Sequence, residues 1–378
     1  MKLKGYYIHY DARTIIGVSK KLDMQLAELR KIADVEEICV PLKTKNVFIN
    51  ALAVLPFMSL AWNYSEAYAK IRDADFLYIR SVAYDYKGYR FLKWVKENNP
   101  KCKILVEIPT YSKKEDLSSL QGFVLYPKFT FNRKRISKHV NKYVTYSDDD
   151  IIYGVDTIRI MNGINVDDVK ISDGELDSDK IRLVAVAMMQ PGHGYERIIE
   201  GLHRYYMKHG DRNVVFNLVG EGRETPHYKE LVEKYRLEER VVFHGQKDGT
   251  ELDIIYDNAD IAIEGLGFYK FDLKLMSSLK TREYLAKGLP MVYATQIDVL
   301  KERQFDYSLR VADDNTAVKI DDIIRFYDSI YGENDKCEVV GDIRYFAKNT
   351  IDFSKTFLPV MNYIEDSCNM HYKCGEFA

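Results

Sequence analysis

The sequence predicts an α/β protein built from two domains, and three observations support this prediction. Short apolar runs typical of buried strands alternate with segments of helical periodicity along the chain. A polar stretch that contains glycine, residues 165–179, interrupts this pattern, and the pattern begins again after it. With 378 residues, each half is long enough to bury a core of its own.

The first half contains repeated strand and helix segments, with two candidate acceptor-side residues at their ends. Strands are predicted within residues 1–10, 35–40, 74–80, 103–109 and 143–147. Gly17 follows the first strand, in a loop that either faces a ligand or simply turns into the next helix. Glu107 lies at the carboxyl end of the fourth strand and is interpreted either as a contact for a substrate hydroxyl or as a solvated charge. A short helix is expected to begin at residues 148–150.

The second half repeats this unit and places glycines after successive strands. Its strands are predicted at residues 181–188, 214–219, 240–243 and 260–264. The loop residues that follow the first three strands are Gly192, His193, Gly194, Gly220, Glu221, Gly222, His244 and Gly245. Glycine lets backbone lie close to a flat ligand. A helix start with a protonated His193 can hold phosphate, and the alternative is an exposed histidine without a ligand.

The segment SSLKTREYLAKGLP, residues 277–290, carries the clearest signals of a ligand site. Ser277 and Ser278 can cap a helix, and the glycine and proline near the end of the segment stop it. The first turn offers backbone N–H groups, hydroxyls and Lys280 to an anion, with Glu283 three residues further on. This set suits a nucleoside diphosphate and its ribose. The alternative is a capped surface helix with an ion pair between Lys280 and Glu283.

Composition and charge narrow the classes of partner. The 57 acidic and 55 basic residues balance, so nucleic acid is not expected as a partner. The N-terminus is interpreted as a first strand, because its apolar part is too short for a signal peptide. The longest apolar tract, residues 47–62, falls short of the roughly 20 residues of a membrane span but can touch a bilayer surface. Residues 123–135 mix basic and aromatic side chains, which suits an anionic membrane surface, a lipid-linked diphosphate or an ordinary surface.

The cysteines give little support for a metal site. Five cysteines are scattered along the chain, and their odd number favours a reducing compartment and a cytoplasmic protein. Cys368, His371 and Cys374 lie close together in the sequence, but three ligands so near a chain end are weak evidence for zinc. No metal and no cofactor are predicted.

In their order and spacing, these segments resemble the retaining, nucleotide-sugar-dependent glycosyltransferases of the GT-B fold. The resemblance is to the family 4 type, which builds bacterial surface polysaccharides and many other glycosides, and it runs nearly end to end. The segments that carry it are GVSKK at 17–21, EIPTY at 107–111, YSDDD at 146–150, NGI at 162–164, HGYER at 193–197, VGEG at 219–222 and SLKTREY at 278–284.

The resemblance implies two Rossmann-like domains that face each other across a central cleft. The acceptor would be held mainly by the first domain and the nucleotide-sugar donor by the second, and a final helix would cross back to the first domain. The corresponding boundaries are 1–165 for the acceptor-side domain, 166–179 for a linker, 180–350 for the donor domain and 351–378 for the C-terminal helix and tail.

The resemblance also implies roles for individual residues. Glu283 would take the ribose hydroxyls of the donor. The residues of the turn and helix start that would meet the diphosphate are Ser277, Ser278, Leu279, Lys280 and Thr281. The loop Gly220-Glu221-Gly222 and the strand end at His244-Gly245 would lie around the base.

Two departures from the family pattern concern charge. Many relatives carry a glutamate where this chain has Leu275, and a basic pair where it offers Met188 and His193. Lys280 is therefore expected to supply the positive charge that the pair would provide.

The sequence thus predicts a cytoplasmic enzyme that moves a sugar from a nucleoside-diphosphate sugar to an acceptor hydroxyl and retains the anomeric configuration. The acceptor would be a sugar, a lipid-linked molecule or another hydroxyl compound, and the enzyme could work at the inner face of the membrane. Lys280 and His193 would stabilise the leaving diphosphate, and Glu264 would lie near the reacting sugar. The alternatives are a nucleotide-sugar epimerase of the same architecture and a non-catalytic nucleotide-sugar-binding subunit.

Overall fold

The structure is a computed structural model that describes residues 2–10, 13, 16–42, 62–109 and 130–375. The chain divides into two compact units: Met1–Ile160 with Thr356–Ala378, and Met161–Lys355. Residues 166–179, predicted as a linker, belong to the second unit. The end of the chain belongs to the first unit.

A mostly parallel sheet forms the centre of the first unit. Its strands are β1 (Leu3–His9), β2 (Ala33–Cys39), β3 (Phe76–Arg80), β4 (Lys103–Ile108), β5 (Lys142–Thr145), β6 (Ile151–Ile152) and β7 (Val155–Arg159). They lie in the order β2-β1-β3-β4-β5-β7-β6. All neighbouring pairs are parallel except β6 and β7. β3 and β4 are almost wholly buried, which explains why they read as continuous apolar runs.

Helices complete the first unit. They are α1 (Ile16–Ile32), α2 (Ser65–Lys70), α3 (Tyr86–Asn98), α4, which includes residues 130–137, and the final helix of the chain, α12 (Leu358–Gly375). The spacing of Leu22, Leu26 and Leu29 puts three apolar side chains on one face of α1, and all three are buried. α1 packs against β2 and α12, so the end of the chain contributes to this unit's core.

Two expectations for the first unit are wrong. α1 begins at Ile16, so Gly17 lies in a helical first turn and not in a loop before it. No helix begins at residues 148–150; the antiparallel hairpin β6–β7 follows instead. Its two-residue turn, Tyr153-Gly154, has positive φ at both positions, as a type I′ hairpin turn requires.

The second unit is built on a parallel sheet with the order β10-β9-β8-β11-β13-β15. The strands are β8 (Lys180–Val186), β9 (Asn213–Val219), β10 (Val241–Gly245), β11 (Ile261–Ile263), β13 (Met291–Tyr293) and β15 (Ser308–Arg310). Two short strands, β12 (Leu275–Met276) and β14 (Gln296–Ile297), pair separately. The first four strands of the sheet lie where the sequence predicts them, within one or two residues at most ends.

Helices alternate with these strands, as the sequence pattern predicts. They are α5 (Glu196–Met207), α6 (Thr225–Tyr235), α7 (Gly249–Asp257), α8 (Leu279–Lys287), α9 (Ile320–Tyr331), α10 (Lys336–Thr350) and the short α11 (Phe353–Thr356). α5 packs against α6 and α9, and α8 packs against α10. The buried side chains of the strands and of these helices form one contiguous apolar core.

Several predicted features fall wholly or partly outside the described residues. These are residues 47–61 of the apolar tract, residues 123–129 of the basic aromatic segment, and Thr110 and Tyr111. Of the three residues in the weak zinc pattern, Cys368 is buried and forms no disulfide. The side chains of His371 and Cys374 lie outside the described part of the structure. Within the described part of the chain, every helix is too short or too polar to cross a bilayer.

Candidate functional site

The carboxyl ends of the second unit's parallel strands meet at one edge of the sheet, where α/β proteins commonly place ligands. The loops after β8, β9, β10 and β11 leave from this edge, and α8 is attached to it. The Tyr284 hydroxyl of α8 accepts a hydrogen bond from Val186 N–H at the end of β8 (3.1 Å). It also lies 3.5 Å from Ile263 O at the end of β11. The structure therefore brings together most of the ligand-site residues that the sequence predicts in the second unit.

The loops after β8 and β11 are bound to each other through their backbones. Leu266 N–H donates to His193 O (2.7 Å), and Gly267 N–H donates to Gly192 O (3.1 Å). Gly194 has φ of +61°, and a Cβ at this position would lie 2.6 Å from Gly267 N. Gly194 thus permits a left-handed turn and a close backbone approach at the same point.

We expect Gly194→Ala to destabilise the protein by about 3 kcal/mol, because the side chain meets both a left-handed backbone and a filled space. Gly154→Ala is the matched control, since Gly154 has φ of +82° but nothing within 4 Å of the point that a Cβ would occupy. The control should lose only the backbone contribution, about 1–2 kcal/mol. Chemical denaturation of both variants measures the difference, and equal losses would show that the contact between the two loops is not tight.

The loop after β9 also packs closely against the ends of the neighbouring strands β8 and β10. Gly220 has φ of +109°, and a Cβ there would lie 2.1 Å from Ala187 O, next to the end of β8. Its N–H donates to Gly245 O at the end of β10 (2.7 Å). Gly222 N–H donates to the Thr225 hydroxyl (2.9 Å), which leads the chain into α6. These glycines therefore hold three strand ends together, and their contact with a ligand stays a prediction.

A cavity of about 280 Å³ opens at these strand ends. Its lining residues are Val186, Ala187, Met188, Val219, Gly220, Glu221, Gln246 and Lys247. Glu221 is exposed, and Met188 is 70% exposed, so both apolar and polar groups are available to a bound molecule. His244 precedes the lining residue Gln246 by two positions, and its Nε2 forms a hydrogen bond with Asn217 Oδ1 (2.9 Å). Burial, followed by the charge of Lys247, lowers the pKa of His244.

The start of α8 has the predicted cap. Ser278 is the N-cap residue, and its hydroxyl accepts a hydrogen bond from Lys280 N–H (3.2 Å). The Ser277 hydroxyl accepts from Asn162 N–H (3.1 Å), so it is already engaged by the backbone of its own unit. Leu279, the first helical residue, is 61% exposed. The remaining N–H groups of the first turn have no acceptor within the helix, as at any helix start.

Lys280 is held by Glu264, a fully buried carboxylate at the end of β11. Lys280 Nζ lies 3.1 Å from Glu264 Oε1, which also accepts a hydrogen bond from Gly265 N–H (2.8 Å). Glu264 Oε2 accepts from the Thr281 hydroxyl (2.7 Å). Burial alone would raise the pKa of Glu264, but the Lys280 ammonium and these donors outweigh it and hold the pKa below its usual value. Glu264 is therefore ionised and fixes the ammonium at the start of α8.

The structure corrects the charge expected of His193. Gln190 N–H donates to His193 Nδ1 (2.9 Å), and the ring stacks on Tyr195 with its centroid 5.5 Å away. Burial, followed by the positive charge of Lys280, lowers the pKa of His193 to about 4. The imidazole is therefore neutral near pH 7. Because Nδ1 accepts the hydrogen bond from Gln190 N–H, the proton of the neutral ring resides on Nε2. His193 can offer a neutral N–H donor, not the imidazolium that was predicted.

The lowered pKa of His193 has a consequence for stability. Between the ordinary pKa of 6.5 and the folded value of about 4, the unfolded chain binds more protons, so stability falls as the pH drops. We expect this residue to account for a loss of about 3 kcal/mol across that interval. His193→Asn retains an acceptor for Gln190 N–H but does not titrate. Denaturation of both proteins from pH 7 to pH 4 should give diverging curves, and parallel curves would contradict the assignment.

Glu283 lies one turn after Lys280 and is partly buried. Burial, followed by nearby Tyr284 and Glu283, raises the pKa of Tyr256 well above its usual value, which places Glu283 beside α7. Leu275 is a half-buried residue of β12, so this position carries no charge.

The acceptor-side prediction for Glu107 is not supported by its contacts. Glu107 is fully buried, so its carboxylate is not the solvated charge of the second interpretation, and its contact with a substrate hydroxyl stays a prediction. The groups that donate to it are Gln25 Nε2 (2.6 Å), the Tyr78 hydroxyl (2.7 Å), Arg80 (2.6 Å) and the Tyr146 hydroxyl (3.1 Å). Burial opposes ionisation, but Arg80, Lys21 and these donors hold the pKa of Glu107 below its usual value. The carboxylate is saturated with internal donors and ties α1 to β3, to β4 and to Tyr146, the residue that follows β5.

Two buried arginines hold the edge of the second unit together, and the sequence interpretation did not single them out. Arg282 is fully buried; it contacts both carboxylate oxygens of Asp298 (2.7 Å each) and donates to Asn162 O (2.8 Å). Arg197 donates to Leu266 O (2.6 Å) and to two carbonyls of the segment after β15. The sequence did contain a signal for these two residues, because both lie among apolar residues of predicted helices. An arginine on such a face is expected to be buried and to need buried partners.

Residues 167–265 match the family described as glycosyl transferases group 1. No curated protein matches the chain in sequence.

Solved structures resemble the whole chain. HepE of Anabaena, in complex with UDP, has 12% identity and a TM-score of 0.62, covering 96% of this chain and all of HepE. A glycosyltransferase of Rickettsia africae has 14% identity and a TM-score of 0.63, covering 97% of this chain and 99% of its own. Sucrose-phosphate synthase of Thermosynechococcus elongatus has 14% identity and a TM-score of 0.61, covering 96% and 98%. At such identities the similarity shows the fold, and the predicted GT-B fold is confirmed.

Proposed function

We propose that the protein is a glycosyltransferase that moves a sugar from a nucleoside-diphosphate sugar to an acceptor hydroxyl with retention of anomeric configuration. The observation that carries the proposal is the position of Lys280. A buried carboxylate fixes its ammonium in the first turn of α8, at the carboxyl edge of a parallel sheet. A donor diphosphate at this point would meet a cation and helix N–H groups together.

The same groups can assist bond cleavage. Negative charge accumulates on the diphosphate as the bond between the sugar and the phosphate breaks. A pre-positioned ammonium and oriented N–H groups stabilise that charge more in the transition state than in the ground state. Because Glu264 already holds Lys280, the ammonium needs little reorganisation when the donor binds. His193 would add a neutral hydrogen-bond donor beside it.

The rest of the donor would lie along the same edge. The cavity at the ends of β8, β9 and β10 offers Met188 as an apolar contact and Glu221, Gln246 and Lys247 as polar ones for a base. Glu283, one helical turn after Lys280, is the carboxylate that would accept the ribose hydroxyls. The bound UDP of the Anabaena structure supports a nucleotide donor.

The contacts of Glu264 favour front-face attack over double displacement as the route to the proposed retention. Its oxygens bind Lys280, Thr281 and Gly265, so this carboxylate is engaged and is poorly placed to serve as a nucleophile. A mechanism with two carboxylates would need a pair that faces the reacting carbon. In front-face attack, a donor phosphate oxygen removes the acceptor proton. This mechanism needs only Lys280 and the helix N–H groups to bind the diphosphate. Glu264 is then a positioning residue for Lys280.

The proposal includes a cellular location and a pathway. We place the enzyme in the cytoplasm, where it would build a cell-surface polysaccharide or another glycoconjugate. One solved neighbour is a lipopolysaccharide outer core galactosyltransferase, which supports such a pathway. The acceptor would be a sugar or lipid-linked hydroxyl compound, and transient contact with the membrane surface would suit a lipid-linked acceptor.

Transfer can be tested directly by NMR. The protein is incubated with UDP-, GDP-, ADP- and dTDP-sugars, each with and without a mixture of acceptor glycans. We expect release of nucleoside diphosphate that depends on an acceptor, and a new glycosidic bond with the donor's anomeric configuration. Epimer exchange without an acceptor would instead indicate an epimerase, and nucleotide binding without any transfer would indicate a non-catalytic subunit.

A further inference from the structure

We propose that a groove on the first unit binds an acidic oligosaccharide. The groove has a volume of about 650 Å³ and lies along α2 and α3. The residues that carry the inference are Trp62, Tyr68, Lys87, Arg90, Trp94 and Arg135. None of them belongs to the donor site described above, which lies in the other unit.

Aromatic side chains form the groove's apolar surface. Tyr68 and Trp94 meet edge to face with ring centroids 4.9 Å apart, and Tyr68 also packs on buried Phe91 at 5.6 Å. Because these rings are fixed by other rings, they would lose little conformational freedom when a ligand binds. The faces of pyranose rings that carry C–H groups pack well on rigid aromatic surfaces of this kind.

The charged residues of the groove are mostly cations. Among the described residues that line it, four are cations and one, Glu97, is an acid; the cations are Lys87, Arg90, Lys93 and Arg135. Among the described residues, Lys93 is the member of this set with an ion-pair partner, Glu97, at 3.4 Å. The Arg135 guanidinium lies 3.7 Å from the ring centroid of Tyr89, so it is held at the groove by a cation–π contact. This excess of positive charge favours a ligand that carries carboxylates or phosphates.

The groove suits a glycan better than a bilayer. It is concave, and it includes the polar side chains Asn63 and Ser65 as well as the indole of Trp62. Within the described residues, Trp62 Nε1 is a buried donor without an acceptor, which a ligand oxygen could supply. A surface that inserts into lipid would instead present protruding apolar side chains on an amphipathic helix. The exposed side of α3 carries the charged side chains of Arg90, Lys93 and Glu97 beside the ring of Tyr86.

The biological assignment rests on the proposed function, because the occupant would be an acidic segment of the acceptor or growing chain. Binding itself does not depend on the transfer reaction. It can therefore be measured without a donor, and nucleotide binding by the second unit can be measured separately on the same protein.

The test uses calorimetric titration of the full chain with hexagalacturonate and with a hyaluronan hexasaccharide, compared with neutral maltohexaose. We expect at least one acidic probe to bind, more weakly as salt is raised, and the neutral probe to bind at least about tenfold more weakly. The double variant Lys87→Gln/Arg90→Gln and the variant Trp94→Ala should each weaken binding about tenfold. Lys101→Gln, an exposed turn residue of the same unit, is the matched control and should bind like wild type.

Thermal unfolding of each variant shows whether the fold is retained, and the charge variant keeps the inference testable if Trp94→Ala unfolds. Absence of binding by both acidic probes, or binding that neither variant weakens, would overturn the inference. Co-sedimentation with vesicles of phosphatidylglycerol and phosphatidylcholine tests whether the groove binds a membrane surface instead of a glycan. If the groove variants abolish vesicle binding and leave glycan binding intact, the groove is a membrane surface and the inference is wrong.

Discussion

Replacing Lys280 by methionine should lower the transfer rate by about a hundredfold or more, because it removes the cation that we propose for the leaving diphosphate. The same change leaves buried Glu264 without its ion-pair partner. Breaking such a pair from one side costs about 3 kcal/mol of folding stability. Steady-state kinetics and denaturation of the variant measure the two effects.

Removing both charges separates stability from catalysis. In Glu264→Gln/Lys280→Met no buried charge is left unpaired, so we expect most of the lost stability to return while the activity stays low. Glu264→Gln alone should keep the ammonium but position it less well, with a smaller loss of rate. If the double variant regained activity together with stability, Lys280 would be a structural residue and its proposed role would be wrong.

Arg282→Met should destabilise the second unit by about 3–5 kcal/mol, the largest stability effect that we expect from a single residue here. The guanidinium is fully buried and bonds the Asp298 carboxylate and Asn162 O. Methionine fills much of the volume but leaves the carboxylate and the carbonyl without these donors. Because Arg282 belongs to α8, nucleotide affinity should fall together with stability.

An exposed arginine provides the control for this prediction. Arg204 is 66% exposed on α5 and lies 3.9 Å from Glu200, so Arg204→Met should change stability by less than about 1 kcal/mol. Asp298→Asn in the Arg282→Met background should recover part of the loss, because the unpaired carboxylate is gone. Similar unfolding midpoints for Arg204→Met and Arg282→Met would show that the buried network contributes little.

The repeating layout of the fold could be predicted because each strand is a short apolar run bounded by turn residues. β8, β9 and β10 are found where that pattern places them, and α8 begins and ends at the serine cap and glycine that the sequence shows. The hairpin β6–β7 was missed because its first strand has only two residues, too few for any periodicity. Its signal was the Tyr153-Gly154 turn.

The candidate site was less predictable than the fold, because its chemistry depends on contacts between distant residues. Lys280 and Glu264 are sixteen positions apart, and the sequence suggested Glu283 as the ion-pair partner within the helix. The neutral state of His193 depends on burial and on the nearby charge of Lys280, which no local pattern reveals. Glu107 likewise lies at a strand end as predicted, yet its carboxylate is turned into a buried network.

The most direct measurement is calorimetric titration of UDP, GDP, ADP and dTDP into the wild-type protein and into Glu283→Gln. We predict that at least one nucleotide binds the wild type and that Glu283→Gln weakens its binding about tenfold, through loss of a charged hydrogen-bond acceptor. Glu230→Gln, an exposed residue of α6, should bind like wild type. If no nucleotide binds, or if Glu283→Gln binds as tightly as wild type, α8 is not the donor site and the central claim is wrong.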